Sequence, residues 1–365
     1  MQKKGNVVLD LRPTPGNPRN SEGAFLNLKD GRVLLVYSRF IGGSYHDDAK
    51  ACIAARVSED QGDTWSDDEI IAVPEEYNAL NIMSVSLLRM GNEDIGLFYV
   101  IRQGWHDTRL HLRRSSDEGK TWGEPVCCVP CLGYYVTNND RVIRLKSGRL
   151  LVPAAFHKIR GNNTTDWSGF DEKGHAFFFI SDDDGTTWRQ GEQSCSMPVT
   201  WSRSGLQEPG AIELASGVVW SWSRTDQGMQ YEMFSLDGGD TWTPPAPSKF
   251  TSPASPLSMK RIPGSGHLLA VWNPIPNYQT RPIDHVTSWG RTPLVGAVSK
   301  DEGKTWEQFF AAELEEEQGG GYCYTAIHFV EDAFLLAYCA GEPEDGACLT
   351  RLKVRKINFT EMSSE

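Results

Sequence analysis

The chain has 365 residues, with 36 Lys and Arg against 48 Asp and Glu for a net charge of −12, and 39% hydrophobic beside 23% charged residues. So acidic a chain, without a dense Lys/Arg run, carries no footprint for a phosphate backbone; nucleic acid is excluded as an expected partner, and any anionic ligand needs a locally positive pocket. No eighteen apolar residues run together and MQKKGNVVLDL lacks an apolar signal core, so no membrane partner is expected; the location is cytoplasmic as given, or periplasmic or secreted if a signal peptide has been removed.

The 35 Gly, 20 Pro and 12 Trp suit many short strands joined by tight turns. In chain order, the first predicted strand is NVVLDL at residues 6 to 11, followed by the hairpin FLNLKDGRVLLVYSR and the turn SEDQGDTW from Ser58. The same pair of elements then recurs: SLLRMGNEDIGLFYVIR with SSDEGKTW from Ser115, VIRLKSGRLLVPAAFH with SDDDGTTW from Ser181, AIELASGVVWSWSR with SLDGGDTW from Ser235, and MKRIPGSGHLLAVWN with SKDEGKTW from Ser299. A sixth hairpin, IHFVEDAFLLAYC, has no such turn and is followed by the strand-like ACLTRLKVRKIN. Six hairpins with five turns predict an all-β fold: one six-bladed β-propeller over residues 1–365, of four-stranded antiparallel blades. The N-terminal strand is expected to complete the last blade and so remove an exposed edge.

Within the turn, the Asp bonds backbone N–H groups, the Gly takes positive φ and the Trp packs between neighbouring repeats. These acidic turns lack the ligand number of a calcium loop. The eight cysteines are irregularly spaced and read as reduced thiols; Cys127, Cys128 and Cys131 have no second Cys/His pair to complete a zinc site. Neither metal nor cofactor is expected.

Following the strand directions puts all five turns on one face and leaves the other face for a site. Registering the hairpins places Glu22, Ser84, Asn139, Glu208, Pro256 and Tyr324 at equivalent inner-strand starts around the axis. Equivalent second-strand ends carry Arg39, Arg102, His157, Arg224 and Asn273, and Arg291 opens the third strand of the fifth repeat. Asp140 and Arg141 share this face; a structural ion pair is their plainer reading, as a bound or capped imidazole is for His157, while both Asp140 and His157 could meet sugar hydroxyls.

These residues and turns resemble the sialidase (neuraminidase) superfamily, whose propellers carry the same Ser-x-Asp-x-Gly-x-Thr-Trp motifs, known as Asp boxes or BNR repeats; the resemblance covers nearly the whole chain. QEPGAIELASGVVWSWSR matches the family's Glu followed one hairpin later by Arg, at Glu208 and Arg224. GRTPLVGAVSKDEG supplies the further Arg291, and YCYTAI supplies Tyr324, with Tyr322 the near alternative. The resemblance implies an exo-acting glycoside hydrolase of the exo-α-sialidase type, cleaving terminal sialic acid or a related carboxylated sugar with retention and without a cofactor. Tyr324 would attack, Glu208 would take its proton, and Asp48 or Asp47 would serve the leaving group, Asp48 being nearer the following strand. Arg19, Arg224 and Arg291 would grip the sugar carboxylate, since a guanidinium fork matches it bidentately.

The chain departs from the family at NPRNSEGAFLNLKDG, where Ser21 and Glu22 occupy the register of an Arg-Ile-Pro motif. Arg19 would have to substitute from the loop, and Glu22 would repel an acidic sugar. A hydrolase or lyase for another acidic sugar such as a uronic acid, or a carbohydrate-binding propeller without catalysis, are the alternatives. Trp105, Trp167, Trp201 and Trp289 could stack on sugar faces in each case.

Overall fold

The computed structural model of the chain describes residues 2–162, 167–277, 288–314 and 319–362. Antiparallel pairing groups the strands into six runs of four. The first is Asn20–Asn27, Val33–Phe40, Ala51–Ser58 and Glu69–Ala72, in chain order. Its first three strands are buried along most of their length, which is why they read as continuous apolar runs rather than as alternations. The second run is Asn81–Arg89, Ile95–Gly104, Asp107–Ser115 and Val126–Cys127, and the third is Ile143–Arg144, Leu150–His157, His175–Ser181 and Arg189–Gln190. A short additional strand, Tyr134–Val136, pairs with Leu150–His157 and makes a parallel bridge from Tyr134 to Thr108, merging these two runs into one nine-stranded sheet. The periodic pattern of hairpins and turns gives no sign of this strand.

The fourth run is Gln207–Glu213, Val219–Arg224, Met229–Ser235 and Ala246–Thr251; the fifth is Ser258–Arg261, Leu268–Trp272, Leu294–Ser299 and Glu307–Glu313. The sixth is Cys323–Phe329, Ala333–Cys339 and Leu352–Asn358, with Asn6–Leu11 from the other end of the chain as its fourth strand.

Among the described residues, the six largest apolar clusters lie between these runs, each shared by two of them: first with second, second with third, third with fourth, fourth with fifth, fifth with sixth, and sixth with first. The turns link to them directly. Ser58 Oγ accepts the Gly62 N–H at 2.8 Å and donates to Asp60 at 2.8 Å, while Asp60 accepts the Thr64 N–H at 2.8 Å and its hydroxyl at 2.6 Å. The other four turns repeat this pattern around Asp117, Asp183, Asp237 and Asp301. Their tryptophans, Trp65, Trp122, Trp188, Trp242 and Trp306, each pack on the cluster shared with the preceding run.

The residue after the turn aspartate has a structural role that the motif leaves blank. Glu118, Asp184 and Glu302 sit at φ 60°, 59° and 61°. Their carboxylates accept the backbone N–H of Lys29, Gly91 and Ala215, in the hairpin turns of the preceding runs, and pair with Arg89, Arg144 and Arg261. Hairpin turns and Ser-x-Asp turns thus share one face, leaving the starts of the inner strands at the other.

Candidate active site

The inner strands start with a distortion. Pairing slips at Ser21/Ala24, Met83/Ser86, Gln207/Gly210 and Cys323/Ala326, and the residues in these bulges, Glu22, Ser84, Glu208 and Tyr324, adopt φ of 56°, 61°, 46° and 56°. Left-handed backbone costs a non-glycine residue about 1–3 kcal/mol, and a bulge re-aims side chains. The third repeat puts Asp140, at φ 57°, in this conformation rather than Asn139. Asn139 instead donates to the carbonyls of Gly23 at 2.7 Å and Tyr324 at 3.1 Å, tying three inner strands together. Pro256 precedes its strand, Ser258–Arg261, which has no bulge.

Glu22, Ser84, Glu208 and Tyr324 line a cavity of about 190 Å³, together with Asp47, Arg102, His157 and Arg224. The Tyr324 hydroxyl donates to Glu208 Oε1 at 3.0 Å. Arg224 donates to the same carboxylate from Nε at 2.7 Å and Nη2 at 3.0 Å. Burial and the Glu208 charge hold the Tyr324 phenol well above its ordinary value, while Arg224 and Arg291 pull the other way. A buried neutral phenol against an Arg-bound carboxylate results.

Arg19 is outside the lining of this cavity and touches two residues that do line it, Glu22 and Asp47; it is 1% exposed and lies 4.4 Å above the Phe40 ring. It donates to Asp47 Oδ1 at 2.5 Å, to Glu22 Oε1 at 3.3 Å and to Ser21 Oγ at 2.9 Å, and Ser84 Oγ donates to Glu22 Oε2 at 2.8 Å. Two carboxylates share one guanidinium, and they divide unequally. Burial raises the Glu22 carboxyl to about 7, with Asp47 adding to the rise and Arg19 opposing it. Asp47 is lowered: burial works against its charge, and Arg19 outweighs that. At neutral pH, Asp47 is ionised and Glu22 is poised between its two forms.

Arg291 stands behind Tyr324 rather than in the cavity lining. Its guanidinium lies 5.3 Å from the Tyr324 ring and 4.8 Å from that of Trp289, and it donates to Cys323 Sγ at 3.2 Å and to the Ala254 carbonyl at 3.1 Å. Arg224 donates to the same Ala254 carbonyl at 3.1 Å. Arg19, Arg224 and Arg291 are therefore all engaged by groups of the chain itself.

The fourth wall is aromatic. Arg102 donates to the Asp47 carbonyl at 2.8 Å and to the Tyr134 hydroxyl at 2.7 Å, and Trp105 stacks on Tyr134 with centroids 5.5 Å apart. Trp167, 43% exposed, and Phe170 complete it. The His157 ring stacks on Phe170 at 4.9 Å, and its Nδ1 lies 3.0 Å from the Asp171 carbonyl, to which it can only donate. Burial pushes His157 down to about 4, so the ring is neutral and Nε2 remains an acceptor.

Several residues expected at the site lie elsewhere. Asp48 is exposed and outside the lining, because the loop turns Asp47 inward onto Arg19. Arg39 shares the backbone register of Arg102 and Arg224, but Asp68, which also pairs with Arg56, holds it at 3.1 Å. Asp140 accepts from Lys260 at 2.6 Å and from the Ile327 N–H at 3.1 Å, so the ion pair it forms is with Lys260 and not with Arg141. Tyr322 is buried between the fifth and sixth runs. Tyr134 and Phe170 were not foreseen, since both stand outside the hairpin repeat. Among the described residues, no group of three His, Cys, Asp or Glu side chains is placed to hold a metal ion.

The model of the BNR repeat-like domain family matches residues 39–336. No curated protein sequence matches the chain. Among solved structures, a Hadza microbial sialidase is 17% identical with a TM-score of 0.71, over 95% of this chain and 67% of that one. The NanB sialidase from Streptococcus pneumoniae is 14% identical with a TM-score of 0.71, over 99% and 71%. The intramolecular trans-sialidase from Ruminococcus gnavus is 14% identical with a TM-score of 0.71, over 99% and 98%. These likenesses establish a shared fold.

Proposed function

The chain belongs to the family of BNR repeat-like domains, and from that premise we propose that it is a single six-bladed β-propeller acting as a retaining, exo-acting glycoside hydrolase on a sialic acid or another carboxylated sugar. The cyclic order of the six apolar clusters supports the propeller. The observation that carries the chemistry is the Tyr324 hydroxyl at 3.0 Å from Glu208 in a lined cavity.

In this reading Tyr324 Oη forms a bond to the anomeric carbon as its proton passes to Glu208. A neutral phenol approaches a carboxylate-bearing carbon without the repulsion that an Asp or Glu would meet. Arg224 and Arg291 stabilise the developing tyrosinate electrostatically. The leaving oxygen takes a proton from the Arg19-bridged pair, where Glu22 holds it and Asp47, kept ionised, assists. In the second half, water attacks the anomeric carbon, the same pair receives the water's proton, and Glu208 returns the first proton to departing Tyr324. Arg102 and His157 meet the sugar from the aromatic side.

The engagement of Arg19 with Glu22 and Asp47 favours a second reading of specificity, in which the sugar is a uronic acid or another acid rather than a sialic acid. Release of a fluorescent leaving group from an α-sialoside, run beside a uronide and with ultraviolet detection of elimination, separates these readings. Turnover that disappears in Tyr324→Phe supports the hydrolase. An unsaturated product, or full activity in Tyr324→Phe, overturns the tyrosine mechanism, and the absence of any turnover or binding overturns the enzyme.

A further inference from the structure

A second cavity, of about 430 Å³, lies further along the same inner strands. The strand Asn81–Arg89 gives Met83 and Ser84 to the active-site cavity and Leu87 and Leu88 to this one; Gln207–Glu213 gives Gln207 and Glu208 to the first, Ala211 and Ile212 to the second. The two spaces are thus stacked, with the bulges between them, and the second opens toward the hairpin turns.

Its walls are apolar where Trp222, Met259 and Phe329 stand, and charged elsewhere, where five Lys and Arg side chains outnumber the carboxylates of Asp140 and Glu213. Most of that charge is spent: Lys260 pairs with Asp140 at 2.6 Å, Arg144 with Asp184 at 2.6 Å and Arg261 with Glu302 at 2.6 Å. Arg141 differs. It is 4% exposed, it lines this cavity, its Nε is buried without a partner, and among the described residues no carboxylate pairs with it. Burial lowers its guanidinium to about 10, with the charges of Glu208 and Asp140 offsetting only part of that effect. A charge buried without a counter-ion is costly, and the mechanism above makes no use of it.

The geometry points to a second binding site here, for a small monoanion with an apolar body, such as an aromatic or branched carboxylate, with Arg141 as its anion ligand and Trp222, Met259 and Phe329 as its walls. One unpaired guanidinium calls for one negative charge and offers a bidentate fork to a carboxylate. Space is ample, since an apolar cavity of roughly 150 Å³ already holds a benzene molecule. The site is distinct from the Tyr324 cavity and does not depend on what that cavity hydrolyses.

Benzoate is the probe, titrated calorimetrically into the full chain, with benzyl alcohol as its neutral counterpart. Benzoate is expected to bind one per chain, benzyl alcohol at least about tenfold more weakly, and Arg141→Met to weaken benzoate by about tenfold or more while Tyr324→Phe leaves it unchanged. If Arg141→Met does not fold, Met259→Trp, which fills the cavity and retains the arginine, is expected to abolish benzoate binding. Equal affinity for the acid and the alcohol, benzoate affinity unchanged in Arg141→Met or in Met259→Trp, or no heat at tens of millimolar benzoate overturns the site.

Discussion

Replacing Glu22 with glutamine tests the division of charge around Arg19. The Glu22 carboxyl rises from 4.5 to about 7 in the folded chain, so between those values the folded state holds a proton that the unfolded state has lost. That contribution to stability is complete below pH 4.5 and is lost as pH rises through 7. A shift of this size corresponds to roughly 3 kcal/mol. Glutamine does not titrate, yet it can still accept from Arg19 and meet Ser84. The stability of Glu22→Gln relative to the parent should therefore grow by up to roughly 3 kcal/mol between pH 4.5 and 7.5. For a chain of this length that is about 4 °C in Tm. The assay is thermal unfolding of both proteins across that range; titrations remote from Arg19 are common to both and cancel, and Asp47, held below the ordinary carboxylate range, stays ionised through this window. A difference that stays flat, or that shrinks as pH rises, would refute the assignment of the proton to Glu22.

Tyr324→Phe should leave Tm nearly unchanged and reduce kcat by about 10³-fold or more, read with the fluorogenic substrate that the parent turns over. Gly303→Ala should cost about 2 kcal/mol or more in urea unfolding, because the residue sits at φ +84° and a Cβ there would lie 2.5 Å from the Trp220 ring. Asp184→Ala should cost roughly 1–2 kcal/mol by removing the bond to the Gly91 N–H and the pairing with Arg144, seen as faster amide exchange at Gly91 than in the parent. As pH falls, Asp47 protonates below the ordinary carboxylate range, and its grip on Arg19 should weaken there, measurable as loss of acid stability that Asp47→Asn removes.

The repeat made backbone positions legible and side-chain partners only partly so. Counting along the hairpins put Glu208, Arg224 and Tyr324 together from two separate runs, because equivalent positions in a repeat face the same way. The same counting put Arg39 beside them, yet an arginine has several ångströms of reach, and Asp68, in a loop the repeat does not describe, draws it away. The Asn139 and Asp140 register slipped by one residue because the third inner strand is interrupted: Tyr134–Val136 and Ile143–Arg144 both pair with Leu150–His157. Asp47 and Asp48 are indistinguishable as letters; only the position of Arg19 separates them. Arg141 was placed on this face but paired with Asp140, because adjacency in sequence does not tell that Lys260 takes that carboxylate in space.

The pairing of Asn6–Leu11 with Leu352–Asn358 bears on how the protein is made. The first of these strands is synthesised before its partner, with almost all of the propeller repeats between them. The first strand must wait as an unpaired edge, a template for mispairing, and a contact of such sequence separation forms slowly. Tyr324 belongs to the sheet this contact completes. Ordering of the sheet that holds Tyr324 therefore waits on this distant contact, and a peptide with the sequence of residues 6 to 11, supplied in excess during refolding, should compete for that edge and delay the recovery of native structure around Tyr324.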